Sequence, residues 1–237
     1  MKLIIKQTKQ EASEAAAQII SDQIQLKPNS KLGLATGSTM IPVYQSLVEN
    51  KVDFSQSVTF NLDEYIGVEP LDEESFHYYM RHHFLDKLIH PPRQMHVPKG
   101  MGDEEANVLQ YQQLLLIHPV DLQLLGIGSN AHIGFNEPGC DFNQGVHIER
   151  LSQSTLDANK KDLGKMLPSK AITMGIADIM RAKSILILAT GEHKAQAIAA
   201  MFEGPVTNKV PASILQRHPN VTVIIDQAAA SKLQRAQ

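Results

Sequence analysis

The chain has 237 residues, enough for one large domain or two small ones and for a sizeable buried core. Its 43% hydrophobic and 20% charged content excludes a largely disordered chain, and a net charge of -3 gives no basic footprint for nucleic acid or an anionic membrane. The single cysteine, Cys140, permits no intramolecular disulfide and fits a reducing, cytoplasmic setting, and no apolar run reaches the roughly 18–20 residues of a membrane span.

The N-terminal run Met1-Lys2-Leu3-Ile4-Ile5-Lys6 is too short and too soon followed by charge for a signal peptide, and residues 2–6 read as a strand. Residues 9–25 form an amphipathic helix with Ile19, Ile20 and Ile24 on one face. A second strand at 31–35 runs into Thr36-Gly37-Ser38-Thr39, and Pro42 opens the helix that follows. The strand at 58–62 ends on Asp63-Glu64-Tyr65. A helix over 73–89 is stopped by Pro91-Pro92, a short strand lies near 95–97, and a helix covers 103–117. The strand at 121–125 enters Gly126-Ile127-Gly128-Ser129-Asn130-Ala131-His132-Ile133-Gly134-Phe135-Asn136-Glu137-Pro138. Residues 139–170 are polar and weakly periodic, and read as a loop with a short helix near 156–163, placed as a lid would be. Beyond them come a strand at 171–175, a helix including Ile179, the apolar strand 184–190, Gly191-Glu192-His193-Lys194, a helix to about Phe202, a short helix at 213–217, the strand 221–226 and a terminal helix.

Strands alternating with helices predict an α/β fold: a Rossmann-like, doubly wound, mostly parallel sheet with helices on both faces, in one domain over residues 1–237. In such sheets ligands bind at the carboxyl ends of the strands. Thr36-Gly37-Ser38-Thr39, Asp63-Glu64, the segment 128–137 and Thr190 to Lys194 all follow strands, so four polar segments converge on one edge.

Each motif has a chemical reading and a plainer one. The Thr36–Thr39 turn can offer amides and hydroxyls to an anion, or simply punctuate the chain. Asp63 can act as a base or cap a helix, Glu64 can be a solvated turn residue, and Lys194 can bind an anion or sit in solvent. His132 carries an imidazole, whose unperturbed pKa of about 6.5 suits acid/base work, and Glu137 is close enough in sequence to orient it; a structural turn histidine is the alternative. Gly126-Ile127-Gly128-Ser129-Asn130-Ala131 has dinucleotide-type glycine spacing but not the strand–helix context or the acidic residue at the next strand end, which argues against a nicotinamide cofactor. His77, His82, His83 and His132 have no metal-ligand spacing, and Cys140 has no nucleophile signature around it.

Taken together, Leu34-Ala35-Thr36-Gly37-Ser38-Thr39, Phe60-Asn61-Leu62-Asp63-Glu64-Tyr65 and the segment 126–138 resemble the glucosamine-6-phosphate deaminase family, in order and over nearly the whole chain. The resemblance implies conversion of glucosamine 6-phosphate and water to fructose 6-phosphate and ammonium, without cofactor or metal, by a monomer or homo-oligomer. It implies that Asp63 moves the C2 proton to C1, that His132 opens the sugar ring with Glu137 orienting it, and that Asn130 belongs to the same relay, at a position that is Asp in some members. Thr36, Gly37, Ser38, Thr39 and Lys194 correspond to the phosphate cradle. Lys161 stands near the place of a lid arginine, supplying charge without a bidentate fork. Larger members carry an allosteric phosphate site of basic residues; here His147 and Glu149 fall in that stretch, which implies no activation by N-acetylglucosamine 6-phosphate. Related readings are a 6-phosphogluconolactonase, a galactosamine-6-phosphate deaminase and a non-catalytic sugar-phosphate sensor. The lactonase would not need Asp63 to move a C2 proton.

Overall fold

The computed structural model describes residues 1–153, 155–157 and 168–234. Its main sheet has seven strands, all parallel: β1 (Lys2–Lys6), β2 (Lys31–Leu34), β3 (Val58–Asn61), β5 (Gln94–His96), β6 (Leu122–Leu125), β9 (Ser184–Ala189) and β10 (Val221–Asp226). Their order is β1-β10-β9-β6-β2-β3-β5. The interior strand β9, Ser-Ile-Leu-Ile-Leu-Ala, is an unbroken apolar run because both of its faces are covered. Strands run outwards from β2 through β3 to β5, and in the opposite sense from β6 through β9 to β10. With right-handed crossovers, those two senses put helices on both faces.

Helix α1 (Lys9–Leu26) starts at Thr8, whose hydroxyl accepts the Glu11 amide at 3.1 Å, and it packs beside α2 (Ile41–Glu49). Helix α3 (Phe76–His83) is capped by Ser75 and ends in a 3₁₀ turn at Leu85–Lys87, so the helix expected over 73–89 is shorter than its sequence pattern. The remaining helices are α4 (Glu104–Ile117), α5 (Ile176–Ile179), α6 (Ala195–Glu203) and α7 (Gln227–Ala230), with a further 3₁₀ stretch at Pro211–Arg217. No helix among the described residues is long and apolar enough to cross a membrane.

A second sheet was not expected. It has three antiparallel strands in the order β4 (Asp63–Tyr65), β8 (Lys170–Thr173), β7 (His147–Arg150). The stretch read as loop therefore contains a strand, β7, held by backbone pairing to β8 and not by an apolar pattern of its own. Leu62 joins the sheets: its amide donates to Leu34 O at 3.1 Å, and its carbonyl accepts the Met174 amide at 2.7 Å. Under the small sheet lies a separate apolar cluster of Tyr65, Val68, Phe135, Leu151 and Ala171, with Phe76 and Leu156 against it.

Candidate active site

Strands β2 and β6 are neighbours, and the chain leaves them in opposite directions, so the crevice at their carboxyl ends is the topological switch point where α/β sheets bind ligands. A cavity of about 690 Å³ opens there. Thr36, Gly37, Ser38, Thr39, Asp63, His132 and Lys194 all line it, so most of the residues singled out in the sequence meet in one space. Asn130 and Glu137 stand behind His132, and Lys161 lies outside the described residues.

The turn after β2 is shaped for an anion. Gly37 has φ +103°, a conformation that other residues rarely adopt, and a β-carbon there would meet nothing within 4 Å. Its carbonyl accepts the Met40 amide at 3.0 Å, while among the described residues the amides of Ser38 and Thr39 donate to no acceptor. Lys194, in the 3₁₀ turn Glu192–Lys194 ahead of α6, brings a cation to the same cavity. Unfilled amides with a cation beside them make a cradle for phosphate.

Asp63 is the first residue of β4 and is 7% exposed. It caps no helix, contrary to one of its readings. Among the described residues no donor hydrogen-bonds to its carboxylate, and burial, reinforced by the adjacent Glu64, pushes its pKa up to about 8. Such a carboxyl is an unusually strong base once ionised.

Glu64 is not a solvated turn residue. It is buried, and accepts the Tyr65 and Phe76 amides on Oε1 at 2.9 and 2.8 Å and the His77 amide on Oε2 at 2.9 Å. Burial pushes its pKa up to about 7, and those three amides oppose the rise.

His132 sits on a tight turn after β6. Ala131 has φ +66°, strained for a residue with a β-carbon, and the Gly128 amide closes the turn on His132 O at 2.9 Å. The imidazole lies against Gly128, where a β-carbon would fall 2.4 Å from Cε1. No helix starts here, so the glycine spacing does not build a dinucleotide fold. Glu137 Oε2 is 3.7 Å from His132 Nδ1 and accepts Asn130 Nδ2 at 2.7 Å, while Oε1 accepts the Thr155 hydroxyl and the Ser152 amide. Burial alone would raise the Glu137 pKa; the contact with His132 and the hydrogen bonds from Thr155 and Asn130 outweigh it and hold it at about 2. Glu137 is thus a fixed negative charge behind the ring, leaving His132 Nε2 for a ligand. Asn130 Oδ1 accepts the His132 amide at 3.2 Å, so this side chain ties carboxylate and turn together and touches the backbone, not the ring. Farther along, Asn136 Nδ2 donates to Ile133 O and Met174 O at 2.8 and 2.9 Å, pinning the segment to the small sheet.

Thr155, Tyr79, His83 and His193 also line the cavity, and none was singled out for the site from the sequence. Thr155 and Tyr79 carry no motif, and only the tertiary fold brings them here. The Cys140 thiol is pushed up to about 11 by burial and nearby carboxylates, which leaves it a poor nucleophile.

A buried carboxyl of raised pKa, an imidazole backed by a carboxylate and unfilled amides beside a cation suit proton transfer on a small phosphorylated substrate. Residues 5–224 match the family described as glucosamine-6-phosphate isomerases/6-phosphogluconolactonase. The glucosamine-6-phosphate deaminase of Leuconostoc citreum is 48% identical over 233 residues, covering 97% of this chain and 99% of its own. That of Streptococcus thermophilus is 45% identical over 236 residues, covering 98% and 100%. The solved structure of a monomeric glucosamine-6-phosphate deaminase superposes with a TM-score of 0.94 at 41% identity, covering 98% of this chain and 100% of that one. A 6-phosphogluconolactonase from Trypanosoma brucei shares the fold, with a TM-score of 0.80 at 20% identity and 98% of each chain covered. A matched sequence over nearly its full length and a matched fold, with the reactive groups gathered at one switch point, place this chain in the glucosamine-6-phosphate isomerase/6-phosphogluconolactonase family.

Proposed function

We propose that the protein converts glucosamine 6-phosphate and water to fructose 6-phosphate and ammonium, as a single unit over residues 1–237 acting in the cytoplasm. The observation that carries the reading is the buried carboxyl of Asp63, without a donor among the described residues, in the same cavity as the His132–Glu137 pair. The identity of 48% to a deaminase against 20% to a lactonase supports it.

In this reading the phosphate rests on the Ser38 and Thr39 amides, with Lys194 beside it and Lys161 as a second cation. His132 takes the proton from the anomeric hydroxyl and gives one to the ring oxygen, opening the sugar to its aldehyde. Glu137, positioned by Asn130 and Thr155, stabilises the transient imidazolium. The substrate's 2-ammonium arrives beside Asp63, and an adjacent cation favours the ionised carboxylate. Asp63 then removes the C2 proton, made acidic by the C1 carbonyl, and returns it to C1 while the 2-ammonium passes a proton to the C1 oxygen; the resulting C2 iminium takes up water and releases ammonium.

Ammonium release from glucosamine 6-phosphate, measured beside galactosamine 6-phosphate with no metal or nucleotide added, tests the reading. Turnover in deuterated water is expected to place solvent deuterium on C1 of the product in every cycle where the proton on Asp63 exchanges before its return. Lactone hydrolysis with no ammonium released would replace deaminase by lactonase.

Lys194→Ala is expected to raise KM about tenfold or more, the usual cost of a charge-assisted contact, with kcat little changed. An unchanged KM would remove Lys194 from the cradle. Glu149 faces the buried His147, Oε2 to Nε2 at 3.2 Å, and so sets a carboxylate in the stretch to which the family resemblance assigns the activating phosphate of larger members. Adding N-acetylglucosamine 6-phosphate at subsaturating substrate is therefore expected to leave the rate unaltered, and severalfold activation would show a regulatory site.

A further inference from the structure

The two ends of the substrate site are fastened to one another by a helix that contributes no reacting group. Glu64 follows Asp63 directly, and its carboxylate gathers the Phe76 and His77 amides at the start of α3. One turn later, Tyr79 Oη donates to Gly37 O at 2.7 Å. Phe76, Tyr79 and His83, spaced three and four residues apart, form one helix face and all line the cavity. The Gly37–Ser38 peptide is trans, so anchoring its carbonyl to Tyr79 directs the Ser38 N–H the opposite way. A hydroxyl on α3 therefore sets the aim of an amide in the anion cradle.

The connection matters because phosphate loop and base sit at the ends of adjacent strands, with Leu34 and Asn61 in register, yet must meet opposite ends of one sugar. Reactions held in a near-attack geometry lose about a hundredfold when a group moves by about 1 Å. The loop's own fastening is slight: Gly37 is in a conformation of high backbone freedom, and its carbonyl has the Met40 amide and the Tyr79 hydroxyl as partners.

We propose that α3 is a strut that holds the phosphate loop and the Asp63 strand in fixed relation, with Tyr79 and Glu64 as the positioning residues at its two fastenings. This rests on the assignment of Asp63 and the Thr36–Thr39 loop given above. Glu64→Gln keeps the shape of the side chain but turns an amide N–H₂ towards one of the three backbone donors, freeing the start of α3. Tyr79→Phe removes one hydroxyl.

The test is a double-mutant cycle read two ways: calorimetric binding of inorganic phosphate, and steady-state ammonium release. Tyr79→Phe is expected to weaken phosphate binding about fivefold and raise KM by a similar factor, with kcat within about twofold of the parent and melting unchanged. Glu64→Gln is expected to weaken phosphate binding too, although it does not touch the loop, and to lower kcat more than about tenfold. The second substitution made on the first is expected to add less than twofold to the phosphate effect.

Unchanged phosphate affinity in either variant, or losses that simply multiply, would overturn the strut. Should Glu64→Gln fail to fold, phosphate affinity and the KM-against-kcat split in Tyr79→Phe decide alone. The phosphate cycle stands apart from the reaction: absent ammonium release from the parent would sink the deaminase reading and leave the strut to be judged on phosphate binding.

Discussion

Asp63→Asn is expected to bind the sugar phosphate, to lose about 10²–10⁴ of its turnover, and to melt at a higher temperature than the parent in mild alkali. The last two effects have one cause. Folding raises the Asp63 pKa to about 8, whereas an unfolded aspartate titrates near 3.9. Between those values the native state holds a proton that the unfolded state has lost. The native advantage is therefore complete below about pH 4, falls as pH rises through the window, and is gone above about pH 8. Each pKa unit is about 1.4 kcal/mol, so ionised Asp63 costs the fold on the order of a few kcal/mol at pH 8. Asparagine carries no charge at any pH. The two proteins are expected to melt together near pH 4 and to separate by about 5–10 °C near pH 8, at roughly 2–4 °C per kcal/mol for a chain of this size. Near-normal turnover would remove Asp63 from the chemistry, and identical melting at pH 8 would show that its burial stores no such cost.

Gly128→Ala is the second large effect, and it needs no change of charge. An alanine β-carbon would lie 2.4, 2.5 and 2.6 Å from Cε1, Nδ1 and Nε2 of His132, inside contact distance across the ring. Gly128 is not at positive φ, so the backbone accepts alanine and the imidazole has to leave. Leaving takes Nδ1 away from Glu137, which it faces at 3.7 Å. A displacement of about 1 Å in a reacting group costs about a hundredfold, so kcat is expected to fall by at least that factor with the melting temperature little changed. Gly126→Ala supplies the control, because a β-carbon there meets only the flexible end of Met40 at 3.4 Å and leaves His132 alone. Equal activities of the two variants would show that the ring position is not limiting.

What the sequence revealed and what it concealed divide along a physical line. Strands such as 184–190 and 221–226 are visible because burial on both faces demands unbroken apolar runs, and the turns after them are visible because glycine and hydroxyl residues cluster there. The convergence of Thr36–Thr39, Asp63, His132 and Lys194 follows from strand polarity alone. By contrast, β4 and β7 are Asp-Glu-Tyr and His-Ile-Glu-Arg, whose strand character comes wholly from pairing with β8. Glu64 reads as a solvated acid because two of its three amide partners lie 12 and 13 residues ahead, beyond any local pattern. Thr155 is hidden for the same reason, reaching Glu137 from 18 residues away. Local chemistry shows in a sequence, whereas a partner supplied by tertiary folding does not.

Leu62 belongs to two sheets at once, giving its amide to Leu34 and its carbonyl to Met174. In hydrogen-exchange terms, the Leu62 and Met174 amides can open only if the large sheet or the small one comes apart, so both belong with the slowest-exchanging protons of the molecule. The residue that follows Leu62 is Asp63. The proposed base thus inherits the persistence of the core instead of the fluctuations of a surface loop, and protons on its strand should exchange on the timescale of global unfolding.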